Sequence, residues 1–514
     1  MSHVKHNLAS WGPPTFPLPP ARTSSSTAFT QNYRIAWTTG VKFRAGKVTI
    51  GGSPWAVTLL PPEVQPFAHK LFAAGRSGLV PETETEQRAA IFLLDRGIAD
   101  PLPLEEPPAT ATDDVEIVIP VYRDVQALRK ALESVADQGI PITVVDDKSP
   151  PHDALKIKQA TQEFGARLIV HDDNQGPGGA RNTGFQATSA AFIAFMDSDV
   201  VATPGWVQRL RPVFDDPKVG AVAPRVRPDV HGDSCIELYE ETRSELDMGP
   251  HPSHVVYGVP VGWLPTASVI VRRTAVTTPP FEPGMRVGED VDLFWRMEQA
   301  GWSVRYATDV VNHHRVRNSF GDFAGRRAMY GSSAAELEKR HPRRLIPANP
   351  SLSGLAVLAL LSSKKPAVRM GAVGVGVYEF LRYRRMLRDG IPTRVVAEMT
   401  LRSLSSDLFW MGHLLRREWW PLGWTILAAS TRSRRARFVA AAMAWEPFKD
   451  HILGHTRLGP LKSLAMRLVD DASYGSGVIR GAWRNRIGNV VTPRVHFPGW
   501  PKKAQDDFKV TLKR

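Results

Sequence analysis

Cysteine is nearly absent: 514 residues carry one, Cys235. A single thiol excludes an intrachain disulfide framework and a CxxC metal site, and it fits a reducing compartment. Long apolar runs are missing as well. The stretches 352–361, 371–377, 422–429 and 438–445 all stop well short of the ~18 apolar residues a spanning helix needs. No basic-then-apolar leader opens the chain, and 10–26 is rich in Pro, Ser and Thr, so export is not expected and 1–32 reads as a flexible tail. The glycine-rich stretch 171–184 contains no Gly-Lys-Ser/Thr and no clean GxGxxG, which weakens kinase and dehydrogenase readings.

What is present belongs to a folded protein. Hydrophobic residues make up 43% and charged residues 23%, too apolar a mixture for wholesale disorder, and the length calls for more than one core. The net charge of +14 is lopsided: 321–514 holds 34 Lys and Arg against 14 Asp and Glu, leaving the first 320 residues mildly acidic. An excess of that kind points to an anionic partner such as a membrane surface, phosphates or nucleic acid. Seven of the 14 tryptophans lie beyond Phe409 among basic clusters, as in helices that lie in a membrane interface, although a purely structural helical appendage would look similar.

The patterning divides the chain. Residues 33–104 show short β-prone runs at 33–37, 41–45, 47–50 and 57–60, then helical spacing at 62–74 and 84–96, which predicts a small winged-helix-like unit. A Pro-rich linker follows at 105–114. From 115 the pattern alternates: strands at 115–120, 142–146, 167–171 and 192–196, helices at 124–137, 153–164 and 178–187. Val/Ile runs with little polar alternation predict a doubly covered parallel sheet, so 115–345 reads as an α/β nucleotide-binding domain and 346–514 as a basic helical region.

Acidic clusters stand where strand patterns end, the place at which open α/β sheets bind ligands. Asp146 and Asp147 close the second strand and could orient a base or ribose, although capping before Lys148-Ser149 would also place an aspartate there. Arg181, in the loop-to-helix segment HDDNQGPGGARNTG, could pair with a phosphate or lock a carboxylate. Asp197 and Asp199 leave the strand 192–196 together, as ligands of a hard cation such as Mg²⁺ or Mn²⁺ would, or as turn-capping residues would. Glu289 and Asp290 open a helix, where negative charge is favoured in any case, and where a carboxylate could deprotonate an acceptor hydroxyl. His313 and His314 follow a strand-like run, and His314 is the first choice to join Asp199 on a metal.

With these residues in place, the chain resembles the family 2 glycosyltransferases of GT-A fold. The match runs over about 115–319: VIPVYRD at 118–124, VVDDKS at 144–149, GGARNTG at 178–184, MDSD at 196–199, GED at 288–290 and HH at 313–314. The resemblance implies that Pro120, Tyr122, Asp146, Asp147, Arg181 and Asp197 bind a nucleotide-sugar donor. It also implies that Asp199 and His314 hold a divalent metal, and that Asp290, with Glu289 beside it, is the base of an inverting displacement. The QxxRW of processive members is absent, and Phe294-Trp295-Arg296 does not replace it, so long processive synthesis is not expected.

Residues 33–104 are similar to PqqD-like peptide-recognition modules, which implies a precursor peptide as their partner. The whole architecture resembles family members that add glucose to a peptide-derived redox cofactor, implying UDP-glucose as donor and a peptide-derived acceptor. The expected setting is the cytoplasmic face of the membrane, or else the cytoplasm, with no nucleic acid bound. Two other readings stay open: a transferase acting on a lipid or cell-envelope glycan, and a non-catalytic protein binding nucleotide sugar or nucleic acid.

Overall fold

The computed structural model describes residues 33–102, 112–316, 319–387, 391–453 and 456–496. The expected tail and most of the expected linker lie outside these residues.

Strands Val115–Val121, Ile142–Asp146, Arg167–Val170 and Phe192–Met196 form the parallel half of a nine-stranded sheet. Alternation sorts their side chains to two cores: Ile117 and Ile119 pack with Leu128 and Leu132 on one face, while Val118 packs with Phe185 on the other. The second face needs a close helix approach. A Cβ on Gly184 would lie 2.2 Å from a methyl of Val118, so glycine lets helix Gly176–Ala187 sit down on the sheet.

The sheet is not parallel throughout, which corrects the expectation. Strand Ser268–Arg272 runs antiparallel between Phe192–Met196 and Val219–Asp229. Strand Ser303–Arg315 then pairs parallel with Val219–Asp229 and antiparallel with the short Val200–Val201.

In the N-terminal unit, Lys42–Arg44, Val48–Gly51 and Ala56–Leu59 form a three-stranded antiparallel sheet beside helices Gln65–Ala74 and Glu84–Asp95. Strand Arg34–Trp37 pairs instead with Ala99–Leu102, whose Pro101 disguised it in the sequence. Val48, Ile50 and Val57 share a core with Tyr383, Val395 and Met399 of the C-terminal helices, so this sheet is covered by the chain itself.

The C-terminal helices close over the α/β unit. Helix Pro460–Asn485 packs along Phe320–Ser332, and buried Arg327 ties them through Glu240 at 2.7 Å and Asp470 at 3.1 Å. No helix among the described residues is long and apolar enough to cross a membrane.

Candidate active site

The turns that follow the first two strands of the sheet are stitched together. Asp147 N–H donates to Val121 O at 2.9 Å, and Arg123 N–H donates to Ser149 Oγ at 2.9 Å. Arg123 and Lys148 adopt positive φ values of 69° and 65°, an uncommon backbone for non-glycine residues. Asp146 is wholly buried; its Oδ1 accepts from Ser149 N–H at 3.0 Å, and its Oδ2 has no partner. An unpaired buried carboxylate oxygen is costly unless a ligand donor meets it. Tyr122 stands exposed at the same rim with the Arg123 guanidinium 4.7 Å from its ring centre. Pro120 is buried within its strand opposite Val145, which leaves the rim to Tyr122.

Asp147 has a different task from the one expected. Its Oδ1 accepts from His171 Nδ1 and Gln175 N–H, both at 2.8 Å, and its Oδ2 accepts from Gly176 N–H at 2.8 Å. The carboxylate is consumed in holding the glycine-rich segment. For the same reason the N-terminus of helix Gly176–Ala187 is already occupied by an anion of the protein.

Arg181 joins two parts of the site. Buried at 3% exposure, it donates to Asp197 Oδ1 at 2.6 Å and to Glu289 Oε1 at 3.0 Å. Burial opposes its charge, but Asp197 and Glu289 outweigh that cost and its pKa is raised. The two carboxylates are themselves pushed up by burial, with Arg181 pulling them back. The DxD turn and the GED helix, about ninety residues apart in the chain, therefore meet across one guanidinium.

Helix Glu289–Gln299 begins after Gly288, whose φ of 81° turns the chain inward. Asp290 follows, its pKa pushed up to about 8 by burial and then by the adjacent negative charge of Glu289. Asp292, one turn in, is structural: Arg296, Arg340 and His341 hold it at 2.7, 2.6 and 2.9 Å.

Strand pairing separates the two histidines. Val200 lies opposite His314 and Val201 opposite His313, so only His314 turns toward Asp199, its Nε2 3.3 Å from Asp199 Oδ2. Two ligands of one Mg²⁺ ion, each about 2.1 Å away and at right angles, are roughly 3 Å apart, so this pair fits a shared cation. Among the described residues no group of three or more His, Cys, Asp or Glu gathers for a metal. The rest of such a shell would have to come from a ligand or water. Arg315 then reaches Asp124 at 2.8 Å and ties this edge to the rim beside Tyr122.

A cavity of about 590 Å³ opens beside Arg181, Asp197, Glu289 and Asp290. Its far side comes from residues that sequence reasoning missed. Trp263 and Tyr330 line it, with Arg417 stacked 3.4 Å over Tyr474 and Arg467 nearby. Nothing local in the sequence marked them; Arg417, Arg467 and Tyr474 reach the site only through the packing of the C-terminal helices, and Trp263 and Tyr330 sit outside the acidic motifs. Arg286, also unforeseen, clamps the glycine-rich segment through Asn174 at 2.9 Å. A larger cavity of about 870 Å³ near Trp419 and Trp483 is lined by C-terminal residues and holds none of these carboxylates.

The chain is a glycosyltransferase and belongs to family 2 of that class. The glycosyl transferase family 2 model matches residues 116–257, and the glycosyl transferase family group 2 model matches 192–445. The chain is similar to the pre-mycofactocin glycosyltransferase of Mycobacterium tuberculosis: 32% identical over 464 residues, covering 88% of this chain and 95% of that protein. It is also similar to glycosyltransferase AglE of Haloferax volcanii, at 26% over 232 residues, 43% of this chain and 73% of the relative. Among solved structures it is similar to a mannosyltransferase of Pyrobaculum calidifontis in complex with GDP-Man and Mn²⁺. That match is 14% identical with a TM-score of 0.41, over 82% of this chain and 98% of the other.

Proposed function

We propose that the protein transfers glucose from UDP-glucose, with inversion, to a small peptide-derived acceptor in mycofactocin biosynthesis. The observation that carries the chemical part is the Arg181 bridge, which sets Asp290 in the same cavity as the DxD residue Asp197. The acceptor and pathway rest on the 32% identity to the pre-mycofactocin glycosyltransferase along nearly its whole length.

Each residue then has one task. Asp146 and Tyr122 orient the uridine, the buried Asp146 Oδ2 accepting a donor of the base or ribose. Asp199 and His314 would hold a divalent cation, Mg²⁺ or Mn²⁺, which when bound neutralises the charge developing on the leaving diphosphate. Arg181 fixes Asp197 and Glu289 so that neither drifts into the acceptor space. Asp290, whose pKa of about 8 makes it a competent base near neutrality, takes the proton of the attacking hydroxyl. Attack from the face opposite the diphosphate would convert an α-linked donor into a β-linked product. The aromatic far side of the cavity suits a ring-bearing acceptor.

The N-terminal unit is proposed to receive a precursor peptide. Its two helices are the surface for this, because the three-stranded sheet already packs on the C-terminal helices and the strands Arg34–Trp37 and Ala99–Leu102 are buried.

Mass spectrometry of the full chain with Mn²⁺ or Mg²⁺, a panel of nucleotide sugars and a peptide-derived acceptor tests this reading. A mass increase of one hexose, from UDP-glucose only and without lipid, is the expected result. Transfer confined to lipid-linked acceptors would replace the acceptor assignment, and no donor turnover with any sugar would overturn the proposal.

A further inference from the structure

Helices Leu352–Leu361 and Pro366–Met386 are built inside out. In the second, the fully buried positions are Glu379, Arg382 and Tyr383, while Met370, Val373, Val377 and Leu381 stand exposed by 65%, 57%, 53% and 49%. In the first, only Ser353 and Gly354 are buried, and Leu352 and Leu361 face outward. The buried polar groups are satisfied among themselves. Ser353 Oγ donates to Glu379, and Arg382 donates twice to Glu379 at 2.7 and 2.8 Å.

A helix that packs on a protein core in water shows the opposite pattern, with its apolar stripe inward and its charges out. The two helices lie against each other at Gly371, where a Cβ would be 3.3 Å from Leu360, so neither covers the outer face of the other. The central helix behind them, Thr393–Arg416, keeps an ordinary arrangement with Val395, Val396 and Met399 buried. The inversion extends to helix Trp420–Ala429, where Gly423 is buried while Leu422 and Trp424 stand exposed. An apolar face of this extent on a protein surface marks a place where another apolar phase is met.

Charge identifies that phase. The turn between the helices exposes Lys364 and Lys365, and Arg384 stands exposed at the other end of the apolar stretch. Basic side chains bordering an apolar face suit the headgroup layer of an anionic bilayer. At 1.5 Å per residue the ten-residue helix Leu352–Leu361 is about 15 Å long, half of a hydrocarbon core, so it can lie in the interface but cannot cross.

We propose that this helical pair is a monotopic membrane anchor, resting in the interfacial layer of a lipid bilayer with anionic headgroups. None of the residues lining the cavity beside Asp290 belongs to these two helices.

Co-sedimentation of the full chain with vesicles tests the anchor without reference to catalysis. Vesicles of phosphatidylcholine mixed with phosphatidylglycerol should retain the protein, and vesicles of phosphatidylcholine alone should retain less of it. Introducing Met370→Glu, Val373→Glu and Val377→Glu together should cut binding by roughly tenfold or more, and Lys364→Glu with Lys365→Glu should remove the preference for anionic lipid. All five positions are exposed, so circular dichroism and soluble donor hydrolysis should stay unchanged. No sedimentation with either vesicle, or undiminished binding by the triple variant, would overturn the proposal. So would a stable lipid-free dimer that the triple variant dissolves, since the face would then belong to a second copy of the chain.

Discussion

Replacing Arg181 by methionine removes the cation lying between Asp197 and Glu289 and leaves two carboxylates facing each other in a buried place. Breaking a buried ion pair from one side costs roughly 3–5 kcal/mol, so denaturant unfolding of Arg181→Met should show a loss of that order. Unchanged stability would mean the bridge is incidental. Asp290 supplies a second test at this scale. A base must be ionised to accept a proton, and with its pKa pushed up to about 8 the rate of transfer should rise with pH toward that value and fall below it. Glu289→Gln removes the like charge that helps raise it, so the acid limb should move to lower pH. A limb that stays in place would separate Asp290 from the proton transfer.

Elements place these residues, and the sequence revealed some of them better than others. The parallel strands were legible because apolar residues fill both faces of 115–121, 142–146 and 192–196, Val and Ile in the first two and Phe, Ile and Met in the third. Their ends located Asp146, Asp197 and Asp199 as candidates for the same reason. Asp147 looked equivalent to Asp146, yet only hydrogen bonding distinguishes an aspartate that holds a loop from one with a free oxygen. The choice of His314 over His313 needed the register with Val200–Val201, a two-residue strand too short to leave a pattern.

Within the GED helix, Asp292 is a carboxylate with a structural task. Burial alone would raise its pKa, but His341, Arg296 and Arg340 outweigh burial and hold it down at about 2. A depressed carboxylate contributes stability above its unfolded pKa of about 4, and that contribution is lost as pH falls toward 2. Unfolding measured across that window should show a loss of about 2 kcal/mol in the wild type, and Asp292→Asn should lack this component. An identical acid profile in the variant would contradict the assignment.

At the scale of the molecule, the active site depends on a helical region that begins far downstream of the catalytic motifs. Arg467 and Tyr474 line the cavity because helix Pro460–Asn485 packs on Phe320–Ser332, and Arg417, at the end of Thr393–Arg416, joins them by stacking on Tyr474. That packing needs small residues: a Cβ on Gly477 would fall 1.9 Å from Ala328 O. Arg327 fastens the junction through Glu240, Glu245 and Asp470. Arg327→Met should therefore lower stability by roughly 3–5 kcal/mol and raise the KM for acceptor more than that for donor. Equal changes in both KM values would show that the C-terminal helices do not shape the acceptor side.

The claim on which the account turns is that Asp290 takes the acceptor proton in a cavity shared with the donor site. It is tested most directly by comparing glucose transfer by Asp290→Asn and wild type at saturating UDP-glucose and divalent cation, with donor affinity measured on the same samples. The expected result is a rate lower by about 10²–10⁴-fold with donor affinity preserved. Transfer within a few-fold of wild type would contradict it.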